Sequence, residues 1–313
     1  MPMSPDQLKR IFDEAGPDIS AEICNKANID DLDSQAIENF RRLWQKKSGN
    51  RNLENLTPQQ LLEDAELTIE GQISYAALIL LGTPKALSKY LAQAEIIFEY
   101  RSSESSVQYQ QRKEFRKGIF LCFDELWDTI NLRNDIQHYQ DGLFVWDIPT
   151  FNERIIREAV LNAISHRDYR LPGSVFIRQF PKKLEVVSPG GLPAGVTLEN
   201  ILNRQFPRNR RIAEVFSKCG LVERSGQGMN LIYESCIKES KSIPDFTGTD
   251  DYQVSLTLNG EVQDIRFLKF LEKIGQETLA SFKVEDLILM DAIHRGQKFE
   301  DNLKGQLSPL IDK

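Results

Sequence analysis

A carboxylate, a carboxamide and an imidazole fall at i, i+4 and i+8 in the segment REAVLNAISHRDY, as Glu158, Asn162 and His166. In a helix four residues turn by about 400°, so each step drifts only about 40° and all three lie on one stripe. A carboxylate one turn before a carboxamide has a chemical use. The carboxylate can take a proton from an attacking water. The amide oxygen is a hard ligand that suits Mg²⁺, which keeps several waters for phosphate groups. The same pair also fits an ordinary solvated helix face. Two glycine features follow. Pro189-Gly190-Gly191-Leu192-Pro193 comes directly off a strand-like run, where glycine lets a backbone or a flat ring approach closely. Gly226-Gln227-Gly228 precedes a helical pattern, and a helix N-terminus offers free N–H groups and a positive dipole end to phosphate. Each glycine feature alone also suits a plain turn.

Secondary elements must hold these residues. The pattern predicts a helix over 151–166, with Ile155, Ile156, Ala159, Val160, Ala163 and Ile164 forming an apolar side able to face a sheet. Residues 174–180 and 184–187 read as strands, 198–202 and 211–219 as helices, and 252–258 as an alternating strand. Upstream, a short helix is expected over 4–16. A second follows Asp33, with Ile37, Phe40, Leu43 and Trp44 at helical spacing, and a capped start lies at Thr57-Pro58. Strands are expected over 73–81 and 94–100, a polar loop over 101–111, and a long helix over 115–130. Turn signals near Asp141–Thr150 suggest a boundary. The tail, 262–313, reads as two or three helices that stop short of a finished element.

Composition narrows the classes. The chain has 313 residues, 41% apolar and 27% charged, with a net charge of −7. That length suits roughly two globular domains. The acidic balance argues against a wholly basic nucleic-acid binder. Arg204, Arg208, Arg210 and Arg211 form the one dense basic stretch. It could meet phosphates or DNA, or be a solvated helix start beside acidic partners, with Asn209 pointing inward. Cys24, Cys122, Cys219 and Cys236 form no C-x-x-C pair, which fits reduced thiols better than zinc or disulfides. No secretory signal opens the sequence, and the longest apolar run, 76–81, is far below a membrane span. A cytoplasmic location is expected. Trp44, Trp127 and Trp146 read as core or domain-interface residues.

Taken in order, a helix with Glu158 and Asn162, a strand–strand–glycine loop and a Gly-x-Gly–helix resemble the GHKL ATP-binding fold of gyrase, MutL, the heat-shock chaperone and histidine kinases. Glu158 and Asn162 match its N-box, SPGGLP its first glycine box, and Ser225-Gly226-Gln227-Gly228 its second. REAVLNAISHRDY, VVSPGGLPAGVT, PRNRRIAEVF and GLVERSGQGM together are similar to the RecG-like ATP-dependent DNA helicase and transcriptional regulator family. The resemblance covers most of the chain and is specific in 151–258. It implies an α+β fold, a two-layer GHKL (Bergerat-type) ATPase sandwich. The expected organisation is a mixed α/β linker domain over 1–150, the ATP-binding domain over 151–258 and a truncated winged-helix-like tail over 259–313. That family's N-terminal Schlafen AlbA-type domain is not matched in this sequence.

The resemblance also implies roles. Glu158 would activate water and Asn162 would hold Mg²⁺. Ser188, Gly190 and Gly191 would border the base of ATP, and Gly226 and Gly228 would hold its phosphates. The implied role is ATP binding with slow hydrolysis in a DNA-associated regulator. DNA would be a partner only of the full-length protein, homodimerisation fits the family, and no membrane is implied. One departure stands out: Val187 falls where the GHKL fold carries its adenine-binding aspartate, with Ser188 adjacent. Loss of such a charge-assisted hydrogen bond costs about 1.5–3 kcal/mol, which leaves open a degenerate scaffold that pairs subunits without nucleotide turnover. There is no Walker A loop, so nothing resembles a helicase motor. His166-Arg167-Asp168-Tyr169 fails as a kinase catalytic loop, because the required asparagine position holds Gly173 and no D-F-G follows.

Overall fold

The computed structural model describes residues 18–141, 144–193, 195–204, 206–222 and 228–296. The expected helix over 4–16, together with Gly226 and Gln227, lies outside them. The N-terminal part builds α1 (Ser34–Ser48), α2 (Pro58–Asp64), the short strands β1 (Thr68–Ile69) and β2 (Gln72–Ile73), α3 (Tyr75–Leu81) and α4 (Pro84–Tyr90). Then come β3 (Ile96–Tyr100), β4 (Gln111–Phe115) and α5 (Ile119–Asn131), followed by a hairpin of β5 (Ile136–Asp141) and β6 (Phe144–Pro149). The next elements are α6 (Glu153–His166), β7 (Val175–Gln179), β8 (Lys183–Pro189), α7 (Arg210–Lys218), α8 (Gly228–Lys238) and β9 (Gln253–Asn259). Three helices close the described chain: α9 (Ile265–Ile274), α10 (Gln276–Ser281) and α11 (Val284–His294). None of the described helices is long and apolar enough to cross a membrane.

One mixed sheet, ordered β4-β3-β7-β8-β9, carries the α+β architecture. Only β3 and β7 run parallel; the other neighbours are antiparallel. Strands from both sides of residue 150 therefore share one sheet, and one hydrophobic core runs from Cys24 to Leu258. The two sheet faces differ. Ile177, Val186 and Leu256 stand in one cross-strand row, buried on the side of α6, whose predicted apolar residues are all buried. The other face carries a cross-strand charge ladder. Glu99, on β3, meets Arg112 at 2.8 Å and Arg178 at 3.9 Å, and Arg178 reaches Glu185 at 3.8 Å. Opposite charges on neighbouring strands stabilise such a row.

Several elements depart from expectation. Residues 75–81 form a helix, not a strand. Ser74 caps it by accepting the Ala77 N–H, and every residue from Ala76 to Leu81 is buried. A continuous apolar run carries no period, so it cannot distinguish a buried strand from a buried helix. The strand β4 begins at Gln111, the last residue of the stretch read as a loop, and Phe115 belongs to it rather than to α5. As an edge strand it exposes polar side chains, which hides it from hydrophobic patterning. The segment 198–202 is a series of turns. Thr57 caps α2 with a capping box to Gln60, as its sequence implies. Trp44 stacks on Phe40 at 5.5 Å, Trp127 packs on the main core, and Trp146 packs on a small cluster beside Ile148, Val262 and Leu268. All four cysteines are buried, free thiols.

A buried junction ties the two helices that carry the candidate chemistry. Asn152 caps α6 and donates through Nδ2 to Glu239 Oε1 at 2.6 Å. Lys241, 2% exposed, donates to Glu239 Oε2 and Pro149 O at 2.6 Å and to Thr150 O at 3.1 Å. Glu239 directly follows α8. Lys241→Met is expected to destabilise the fold by about 2–4 kcal/mol in a urea melt, because it strands a carboxylate and two carbonyls. A loss below about 0.5 kcal/mol would show that solvent already satisfies this junction.

Candidate functional site

The α6 stripe faces a cavity of about 660 Å³ between α6, β8, β9, α7 and the start of α8. That volume lies in the range of small-molecule sites, about 300–1,000 Å³. Of the sequence-derived residues, Glu158, Asn162, His166, Ser188, Gly190 and Gly228 line it. Gly191 is not among the lining residues.

One end of the cavity is polar. Glu158 is buried, 7% exposed, so it is not a solvated helix face. Asn162 donates through Nδ2 to Glu158 Oε1 at 3.2 Å and contacts the Met229 sulfur at 3.9 Å. The Asn162 Oδ1 makes no hydrogen bond among the described residues. Gly228 opens α8 directly against this pair. A Cβ there would lie 1.8 Å from Glu158 Oε1, 2.8 Å from its Cδ and 3.3 Å from Asn162 Nδ2. Only a residue without a side chain lets α8 come this close.

Beyond this pair the lining includes the apolar residues Ala163, Val186, Leu192, Val196, Ile201 and Leu256. Here strand alternation assigns the inward residue. Ser188 is buried and lines the cavity, whereas Val187 lies in the opposite-face row with Phe176 and Ser255. Ser188 Oγ donates to Ala163 O at 2.9 Å, so towards the cavity it has only lone pairs to offer.

The two neighbouring glycines answer to protein atoms. Gly190 has φ +96°, and a Cβ would lie 2.5 Å from an Arg208 guanidinium nitrogen and 2.8 Å from Asp168 Cβ. Gly191 faces the backbone carbonyls of Asp250 and Asp251, which a Cβ would meet at 2.7 and 2.8 Å. Close backbone approach therefore accounts for Gly191.

The basic stretch divides by role. Arg208 donates to His166 O at 2.9 Å and Gly191 O at 3.0 Å, joining the end of α6 to the glycine loop. Asn209 does point inward: it is fully buried and donates to Ser165 O at 3.0 Å and Arg167 O at 2.7 Å, covering the C-terminal carbonyls of α6. Arg210 pairs with Glu214 at 3.0 Å, and Arg211 pairs with Glu66 and with Glu214 at 3.4 Å. Arg204 lies in the cavity wall, and its side chain makes no hydrogen bond or ion pair among the described residues.

The His166-Arg167-Asp168-Tyr169 segment is mainly structural. Arg167, 1% exposed, donates to the carbonyls of Asp168 (2.7 Å), Leu171 (3.1 Å) and Gly173 (2.5 Å), and sits over the Tyr169 ring. Burial and the neighbouring Arg208 charge push the His166 pKa down to about 4, so it is neutral at pH 7. Among the described residues no group of three His, Cys, Asp or Glu side chains is placed to hold a metal ion. The sequence signals gave Arg167 no structural role and did not name Glu66, which joins the cavity wall from the N-terminal part.

Comparison with known proteins places part of this architecture. Residues 173–258 match the family described as "Putative ATP-dependent DNA helicase recG C-terminal". The match supports the RecG-like resemblance and ties the segment to a nucleotide-using, helicase-associated family. It takes in Ser188, Gly190, Gly191, Gly226 and Gly228, while Glu158 and Asn162 precede it. Residues 9–97 match a domain of unknown function, DUF8451. Among solved structures, the chain is similar to the DIP2311 protein from Corynebacterium diphtheriae, with TM-score 0.72 and 24% identity over 88% of this chain and 54% of that one. The likeness is one of fold, and the present chain spans about half the length of that protein. No curated protein matches the chain.

Proposed function

We propose that the cavity binds ATP or a related purine nucleotide, as the ATP-binding module of a DNA-associated regulator with a GHKL-type fold. The observation that carries this reading is the convergence of Glu158, Asn162 and Gly228 at the polar end of a nucleotide-sized cavity. The family match over 173–258 supports it.

The donor set fits magnesium carried in on a nucleotide. Among the described residues Asn162 has an amide oxygen without a hydrogen bond, and Mg²⁺ commonly takes one or two protein oxygens, with phosphate oxygens and waters completing its shell. When bound, the ion would neutralise phosphate charge. Glu158 is positioned to accept a proton from a water beside it. The Nδ2 of Asn162, held on Glu158 Oε1, fixes the orientation of both side chains. The start of α8 at Gly228 presents a positive helix end to phosphate oxygens. Among the apolar lining residues, Ser188 Oγ would accept an N–H from a base edge such as a purine amino group, in place of the expected aspartate. Arg208 and Asn209 hold the end of α6 and the glycine loop in register with the cavity.

Hydrolysis would be slow, with occupancy as the signal. Homodimerisation and a DNA target in the full-length protein belong to this same proposal. A melting series with ATP and ADP, with and without Mg²⁺, tests it. Ligand at about 100 times Kd raises stability by about 2.7 kcal/mol. A Tm rise of several degrees with MgATP is expected; no shift at millimolar nucleotide would count against the reading.

A further inference from the structure

The helix α7 has two working sides. Arg210, Ala213, Glu214 and Ser217, at i, i+3, i+4 and i+7, face the cavity. The rest of the helix is fastened to the N-terminal part of the chain. The Arg211 N–H donates to Asp18 Oδ2 at 2.8 Å, and its guanidinium pairs with Glu66. At the other end Lys218 donates to Asp64 O at 3.1 Å and lies over the Trp44 ring at 5.2 Å. One wall of the cavity is therefore held from outside by residues 18–66.

Glu66 is unusual on local grounds. It follows α2 at φ +57°, with its N–H on Glu63 O and the Leu67 N–H on Leu62 O, both at 2.8 Å. That is the helix-ending arrangement in which glycine is strongly preferred. A glutamate held in this conformation carries a backbone cost that glycine would avoid. Glu66 is among the residues that line the cavity, as are Arg204, Arg210, Lys218 and Glu214, and its carboxylate accepts from Arg211. A second negative charge beside Glu214 opposes any polyanion that enters.

We propose that Glu66 is an affinity-setting latch that the N-terminal segment contributes to this cavity. Its carboxylate pairs with Arg211, and the negative charge of a bound nucleotide would oppose that pairing. The inference rests on the nucleotide reading above and extends it: occupancy of the cavity loosens the hold of residues 57–67 on α7. By linkage, whatever pulls on that segment alters affinity in the cavity by the same factor.

Calorimetric titration of wild type and Glu66→Gln with MgATP, and in parallel with adenosine, tests it. The substitution keeps length and backbone while removing the charge, at a side chain 63% exposed. Glu66→Gln is expected to bind MgATP about three- to tenfold more tightly, with adenosine unchanged, because only a charged ligand feels the carboxylate. In hydrogen exchange, residues 57–67 of wild type should exchange faster with MgATP bound, and those of Glu66→Gln should not respond. Equal MgATP affinity in the two proteins, or an equal gain for adenosine, would overturn the latch and leave the nucleotide reading standing. If wild type takes up neither ligand, the nucleotide reading fails and the latch falls with it.

Discussion

Gly228→Ala is expected to abolish ATP turnover and weaken nucleotide binding by at least about tenfold, with a stability loss of about 1–3 kcal/mol. The sign of the stability change is informative, because helix propensity points the other way. Alanine is favoured over glycine in a helix, by about 1 kcal/mol in its interior and less at the first position that Gly228 holds, so an unconstrained Gly228 would at worst be unaffected by the change. The added Cβ would instead lie 1.8 Å from Glu158 Oε1 and 2.8 Å from its Cδ, inside any real contact distance. The Glu158 side chain is buried and engaged by Asn162, so it has little room to give. Either α8 retreats or the carboxylate turns away, and both outcomes separate the groups the proposed chemistry needs together. Chemical denaturation beside a binding titration checks this. Gain of stability with binding intact would show that α8 does not hold its place against Glu158.

Glu158→Gln is expected to lower hydrolysis by about 10²–10⁴-fold, the usual range for loss of a general base. Nucleotide affinity should not fall, because the substitution removes a negative charge beside the phosphates. Glutamine keeps the length and shape of the side chain and an oxygen that can still accept from Asn162 Nδ2. It loses the negative charge and, with it, the ability to take a proton. Single-turnover hydrolysis with equilibrium binding separates the two effects. Equal turnover in wild type and variant would remove Glu158 as the base.

Much of the site was legible because α6 is strongly periodic. The i, i+4, i+8 stripe placed Glu158, Asn162 and His166 on the cavity, and the intervening apolar residues on the sheet. The glycines were legible as positions that need close approach, but not the atoms they approach. For Gly191 those are the carbonyls of Asp250 and Asp251, about 60 residues on in the chain. Val187 drew attention through motif spacing, whereas the period of two along β8 sends its side chain to the far face and brings Ser188 inward. Motif spacing fixes a position along a strand but not which face it serves.

The N-terminal part was harder to read. An unbroken apolar run hid α3, and a polar edge strand hid β4. Glu66 could not be found from sequence at all. Its pairing with Arg211 spans 145 residues, and its left-handed backbone is a property of the folded chain.

A crystal structure of the protein with a non-hydrolysable ATP analogue and Mg²⁺ tests the central claim most directly. The triphosphate is expected at the Asn162–Gly228 end, with a metal ion on Asn162 Oδ1, a water beside Glu158 and the base near Ser188. A nucleotide bound elsewhere, or a cavity left empty at saturating ligand while the protein is intact, would contradict it.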